Sequence, residues 1–100
     1  MTTPHITIPR QQLVEFCQRY PIRRLALFGS VLREDFRPES DVDVLVVFQP
    51  DAKVGFLLLG RMKRELSALF QRPVDLVPEG GLKAAIRADV LKSAEEIYAV

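Results

Sequence analysis

Residues 25–48 read LALFGSVLREDFRPESDVDVLVVF, and this stretch decides the fold. Two apolar segments of strand length flank a Gly-Ser pair and a polar connection. We expect strands over residues 22–28 and 41–48. The far end of the first strand is apolar on both faces, which is typical of a strand inside a sheet that is covered on two sides.

Apolar residues recur with helical spacing in three other segments, which predicts helices over residues 9–20, 52–70 and 82–93. A helix of about two turns is expected over 31–36 because Pro38 follows. Short strands are predicted over 73–77 and 97–100. Together these elements predict one α/β domain over residues 1–100, with helices packed against a three- or four-stranded sheet. The pattern leaves strand orientation open, and the long helix permits a parallel crossover between the second and third strands.

The composition limits the classes of function. The chain has 100 residues, 48% of them hydrophobic, and a net charge of +1, which argues against nucleic-acid binding by bulk electrostatics. A domain this small buries roughly 60–70% of its unfolded surface, so we expect a partner or self-association into a homo-oligomer. The start is not signal-like, and no apolar run approaches the ~18 residues of a membrane span. We therefore expect a soluble, cytoplasmic protein with no membrane partner.

Three carboxylates indicate the chemistry of the predicted site. Asp41 and Asp43 are two positions apart on a predicted strand, so their side chains emerge on one face. Asp75 lies inside the apolar strand PVDLV, and it comes within reach of Asp43 if the third strand neighbours the second. Like charges in apolar strands need a cation between them, and Mg²⁺ prefers carboxylate oxygens. Three carboxylates are also what a two-metal phosphoryl-transfer site requires.

The Gly29-Ser30 pair adds a second element at a strand-to-helix junction. Glycine lets the backbone approach a ligand closely, and the start of the following helix presents free N–H groups. The pair therefore predicts a phosphate cradle. Taken alone, Gly-Ser is an ordinary turn, and the nearby Arg33 and Arg37 are interpreted as solvated surface residues.

In order along the chain, GS, ten intervening residues, DVD and a later VDLV resemble a known family. The string looks like the mark of the minimal nucleotidyltransferases of the DNA polymerase β superfamily: GS-x10-D-x-D, with a third Asp on a later strand. The likeness runs from residue 25 through RMKRELSALF (61–70) and RPVDLV (72–77) to IYAV (97–100). It therefore covers most of the chain.

The resemblance implies the small nucleotidyltransferase fold, and it implies roles for the five residues. Gly29 and Ser30 would hold the nucleoside triphosphate, Asp41 and Asp43 would bind two Mg²⁺ ions, and Asp75 would complete the site and activate the attacking hydroxyl. The implied reaction moves a nucleoside monophosphate, AMP from ATP, to a hydroxyl of a protein partner. Members of this family often accompany a separately encoded helical partner of the HEPN type as its antitoxin, in some cases by transferring AMP to a tyrosine of that partner.

The same residues allow other interpretations. Asp41 and Asp43 could satisfy backbone amides at a strand start, but Gly29-Ser30 and Asp75 in register disfavour this. An EF-hand loop fails because Leu45 and Val46 occupy positions that need a ligand and a glycine. Two rival functions remain open, a catalytically idle antitoxin that acts by contact alone and a regulatory subunit that senses nucleotide.

Overall fold

The chain folds into three α-helices and four strands, within the residues that the computed structural model describes, 6–33, 37 and 39–100. In chain order these are α1 (Arg10–Arg19), β1 (Ile22–Phe28), β2 (Val42–Phe48), α2 (Phe56–Phe70), β3 (Val74–Pro78), α3 (Ala84–Ser93) and β4 (Glu95–Ala99). Two short 3-10 helices, Gly29–Leu32 and Glu79–Gly81, follow β1 and β3. The expected α/β architecture with a four-stranded sheet is confirmed.

The sheet is mixed, with the strand order β3-β2-β1-β4. β1 pairs antiparallel with both β2 and β4, whereas β2 and β3 run parallel. β1 is therefore central, as its apolar faces predict. A parallel pair needs a crossover connection, and α2 supplies the one between β2 and β3.

The two faces of the sheet are covered unequally. The main core lies on the face with α1 and α2, and its side chains from these helices include Leu13, Phe16, Met62 and Leu66, all fully buried. A smaller cluster on the opposite face contains Ala26, Phe28, Leu45 and Leu82, with Val77, Val90 and Ala94 packed against it. No residue of α3 itself is fully buried. The second face is thus covered less completely than the first.

Prolines set both ends of α1. Pro9 is the N-cap residue and its carbonyl accepts the N–H of Leu13 at 2.9 Å. Tyr20, which precedes Pro21, is extended (φ −122°, ψ 159°), as a residue before proline must be. On this helix Cys17 is buried, and burial raises the pKa of its thiol to about 12. Its interpretation as a small core residue is consistent with that environment.

Three predicted boundaries differ from the structure by two residues or more. α2 begins at Phe56, not at Ala52, because Gly55 is extended and caps the helix while Val54 packs against the core from the loop. α3 begins at Ala84 rather than Leu82, since Leu82 is extended and buried in the smaller cluster. β4 covers Glu95–Ala99, two residues earlier than expected at its start.

The prediction of a helix over 31–36 is also wrong for residues 31–33, the part of it that the structure describes. The backbone after β1 forms a single 3-10 turn over Gly29–Leu32, and Arg33 is already extended (φ −102°, ψ 154°). Residues 34–36 of that prediction lie outside the described residues. Among the helices in the described ranges, none is both long and apolar enough to cross a bilayer.

The C-terminus of α2 offers a test of backbone strain. Gln71 caps the helix in the left-handed region (φ 55°, ψ 37°), where its N–H and that of Arg72 bond to carbonyls of the last turn. A β-carbon in this region costs roughly 1–2 kcal/mol relative to glycine. We expect Gln71→Gly to raise the free energy of unfolding by about 1 kcal/mol, measured by urea denaturation. A loss of stability, or a gain equal to that of Gln71→Ala, would contradict this account.

Candidate active site

Asp43 and Asp75 are direct register partners across the parallel β2–β3 pair. The register begins with a hydrogen bond from Val42 N to Pro73 O at 2.9 Å. Each carboxylate alternates with the core residues of its strand, so both lie on the face that carries the smaller cluster. The sequence prediction that Asp75 neighbours Asp43 is therefore confirmed.

A serine of α2 holds the start of β3 in place. The Ser67 hydroxyl donates to Lys63 O at 2.8 Å and accepts the N–H of Val74 at 3.1 Å. Val74 is buried and immediately precedes Asp75. The bond thus couples the crossover helix to the strand that presents this carboxylate.

Asp41 lies one residue before β2, and its carbonyl accepts the Ser30 hydroxyl at 3.4 Å. The negative charge of Asp41 contributes to a raised pKa at Asp43. The pKa of the Asp43 carboxyl is raised, first by burial and then by the charges of Asp75 and Asp41. The Ser30 backbone hydrogen bond and the charge of Arg33 lower it again without cancelling the rise. The three predicted aspartates therefore interact electrostatically.

Gly29 makes the approach of β1 to Asp43 possible. It has φ +74°, and a Cβ at this position would collide with the Asp43 carboxylate, whose Cγ lies 3.2 Å away. The missing side chain lets the next residue, Ser30, donate its backbone N–H to that carboxylate. Gly29-Ser30 is thus a close backbone approach and not only a turn.

A cavity of about 280 Å³ opens beside Asp43 and Asp75. Its other lining residues are Phe28, Val77, Gly81, Leu82, Lys83 and Ile86. Sequence reasoning did not single these out as site residues. The available signal was the Gly80-Gly81 pair directly after the strand of Asp75, because whatever follows that strand must turn beside the carboxylate. Lys83, the N-cap of α3, adds a positive charge to this wall.

The donor set is suited to a hard cation shared with a ligand. In the described residues, no three His, Cys, Asp or Glu side chains are placed so that together they could hold a metal ion. Mg²⁺ does not require three such side chains, since it retains waters and binds through one or two carboxylates together with phosphate oxygens. Arg33 and Arg37 are both exposed, as expected, although the charge of Arg33 reaches Asp43.

The raised pKa of Asp43 gives a stability prediction for the metal-free protein. A carboxyl whose folded pKa exceeds its unfolded value destabilises the fold once the pH rises through that folded pKa. We expect Asp43→Asn to raise Tm at pH 7 in EDTA, and the gain to shrink toward pH 4 as the wild-type carboxyl becomes protonated. Thermal scans at the two pH values check this. A gain that does not depend on pH would contradict the electrostatic cause.

Comparison with known proteins identifies the family. The model of the nucleotidyltransferase domain matches residues 9–98. The protein adenylyltransferase MntA of Thermococcus cleftensis is 35% identical over 84 residues, which are 84% of this chain and 81% of that protein. A solved structure of a minimal nucleotidyltransferase is 36% identical, with a TM-score of 0.69 over 85% of each chain.

A further likeness is one of fold alone. The structure of a tri-AMPylated Shewanella oneidensis HEPN toxin in complex with its MNT antitoxin matches with a TM-score of 0.65 at 15% identity, over 91% of this chain and 70% of that one. The mixed four-stranded sheet is therefore shared beyond recognisable sequence similarity. With the match over residues 9–98 and the aspartates described above, the chain belongs to the nucleotidyltransferase domain family, as a minimal nucleotidyltransferase.

Proposed function

We propose that this chain transfers AMP from ATP to a hydroxyl of a protein partner, with Mg²⁺, and that it acts as the antitoxin of a HEPN-type toxin. The observation that carries the proposal is the position of the Asp43 carboxylate. It lies between the Ser30 backbone N–H on one side and the Asp75 carboxylate on the other. A backbone turn at Ser30 and a second carboxylate thus flank one half-buried acid.

The carboxylates fit divalent metal because they repel one another without it. Asp41, Asp43 and Asp75 would hold two Mg²⁺ ions, in part through phosphate oxygens of the nucleotide. When bound, the metal supplies charge stabilisation to the transferring phosphoryl group. The raised pKa of Asp43 supports this assignment, because its main electrostatic cause is the negative charge that a cation would neutralise.

The chain's own residues divide the remaining work. Backbone at Gly29 and the Ser30 hydroxyl would bind the β- and γ-phosphates, and Lys83 would offset their charge. The apolar wall of Val77, Leu82 and Ile86 would face the nucleoside. The acceptor oxygen forms a bond to the α-phosphorus, the bond from that phosphorus to pyrophosphate breaks, and the hydroxyl proton passes to Asp75 and then to water.

Known proteins support the partner class. The relative from Thermococcus cleftensis is named a protein adenylyltransferase, and the structurally similar antitoxin is bound to an AMPylated HEPN toxin. The proposal carries both properties to this chain. The exposed apolar side chains Phe56 and Leu57 are consistent with a protein that docks on another.

Label transfer tests the proposal directly. With α-labelled ATP, Mg²⁺ and a HEPN-type protein encoded beside this chain, we expect label on the partner. Asp43→Asn should lower transfer by at least a hundredfold, because the remaining carboxylates cannot replace the central one. The exposed Asp89→Asn on α3 is a control that should retain activity.

Two other outcomes have definite meanings. A stable complex of the two chains without label would favour the antitoxin that acts by contact alone. Nucleotide binding without complex or label would favour the nucleotide-sensing subunit. Either result would contradict the proposal that this chain transfers AMP.

Gly29→Ala tests the backbone approach. The added Cβ has no space beside Asp43 and requires a left-handed conformation that costs roughly 1–2 kcal/mol. We expect ATP affinity, measured by calorimetry, to fall at least tenfold. Gly80→Ala is the matched control, since nothing lies within 4 Å of a Cβ built there. Equal affinity for the two variants would refute the cradle.

A further inference from the structure

The strand order fixes the direction from which an acceptor can reach the proposed site. Ser30 follows β1, Asp43 lies on β2 and Asp75 lies on β3, and these strands are consecutive neighbours in the sheet. Phosphates held at Ser30 therefore leave toward β1. In-line displacement places the incoming oxygen opposite the leaving group, which is the side of β3. β3 is also the edge of the sheet.

A groove lies along this edge, between β3 and the first half of α2. Its volume is about 490 Å³, and we call it the α2–β3 groove. It is lined by Phe56, Leu59, Gly60, Lys63, Arg64, Asp75 and Leu76. Asp75 lines both this groove and the cavity beside Asp43, so the two spaces adjoin at this residue.

The helix side of the groove combines apolar surface with positive charge. Phe56, Lys63 and Arg64 lie at i, i+7 and i+8 and thus share one face of α2. The Phe56 residue is 88% exposed, although the core face of the same helix is fully buried at Met62 and Leu66. Among the described residues, neither Lys63 nor Arg64 has a carboxylate partner. The groove therefore presents an uncovered aromatic ring and two available cations.

Gly60 is a second, independent feature of the groove. It lies inside α2, where glycine weakens a helix, and no packing requires it there. A Cβ at Gly60 would meet only Arg64 Nη1, at 3.6 Å, which is an ordinary contact. Stability alone would favour alanine at this position. The glycine instead keeps the groove wall open between Phe56 and Lys63.

We infer that the α2–β3 groove binds a segment of the acceptor polypeptide that carries apolar side chains and carboxylates next to the hydroxyl to be modified. The inference rests on the proposed function, which it deepens by assigning the substrate class. Phe56 contacts the apolar side chains, and Lys63 and Arg64 pair with the carboxylates. The hydroxyl is thereby held at Asp75.

A peptide titration tests the inference without nucleotide or turnover. The probe is a twelve-residue peptide of leucine and glutamate with one central tyrosine, added to ¹⁵N-labelled protein. We expect amide shifts that cluster at residues 56–64 and 75–76. The same peptide with lysine in place of glutamate should bind at least tenfold more weakly.

Variants separate the groove from general effects. Lys63→Glu with Arg64→Glu should weaken binding of the acidic peptide at least tenfold. Arg23→Glu with Lys92→Glu makes the same change in net charge at exposed positions on β1 and α3, and it should leave affinity unchanged. Gly60→Ala should weaken binding while Tm stays equal or rises, which a merely structural role for Gly60 would not produce.

Three results would overturn the inference: no binding of the acidic peptide, shifts centred on another surface, or equal affinity for the acidic and basic peptides. Concentration-dependent broadening at residues 56–64 that blocks the peptide would assign the groove to a second copy of the chain instead. The label-transfer assay tests the proposed function separately from this inference. Label on the partner without peptide binding would contradict the inference about the groove and support the transfer reaction. Peptide binding without label would support a peptide-binding groove and contradict the transfer reaction.

Discussion

The parallel pairing of β2 with β3 is the constraint on which the rest of the structure depends, because it sets two carboxylates side by side. Parallel neighbours cannot be joined by a tight turn, so the chain needs α2 as a crossover. That helix then supplies the main core through Met62, Leu66 and Phe70. The same helix fixes β3 through the Ser67 hydroxyl. A pairing that creates electrostatic repulsion is thus held by the best-packed part of the molecule.

The site lowers stability in two identifiable ways. Asp43 is half-buried among like charges, and Gly60 weakens the crossover helix. A domain of this size has little stability in reserve. Asp43 and Gly60 both lie outside the main core, which contains the largest fully buried side chains. The carboxylates of Asp43 and Asp75 lie on the face of the sheet opposite that core.

Sequence reasoning located the elements well where a local rule decides them. Pro9 and Pro21 bound α1, and mainly apolar segments of strand length mark β1 and β2. It failed where packing decides: Val54 and Leu82 have helical spacing but pack in the hydrophobic clusters from positions that precede α2 and α3. It found Asp41 and Asp43 because their spacing is local, and Asp75 because this carboxylate lies inside an apolar strand. It missed Lys83 and Ile86, since their place in the cavity depends on how the chain turns after β3.

The position of α2 in the sequence, between the two strands that carry Asp43 and Asp75, also affects when the site is assembled during folding. Asp43 and Asp75 belong to strands that the whole crossover helix separates in the sequence, and contacts between distant segments are slow to form. The antiparallel β1–β2 pair can form earlier, because its connection is shorter. A nascent or partly unfolded chain can thus carry the Gly29-Ser30 turn and Asp43 without Asp75 beside them. The two carboxylates are then neighbours only in a molecule in which β3 has paired with β2.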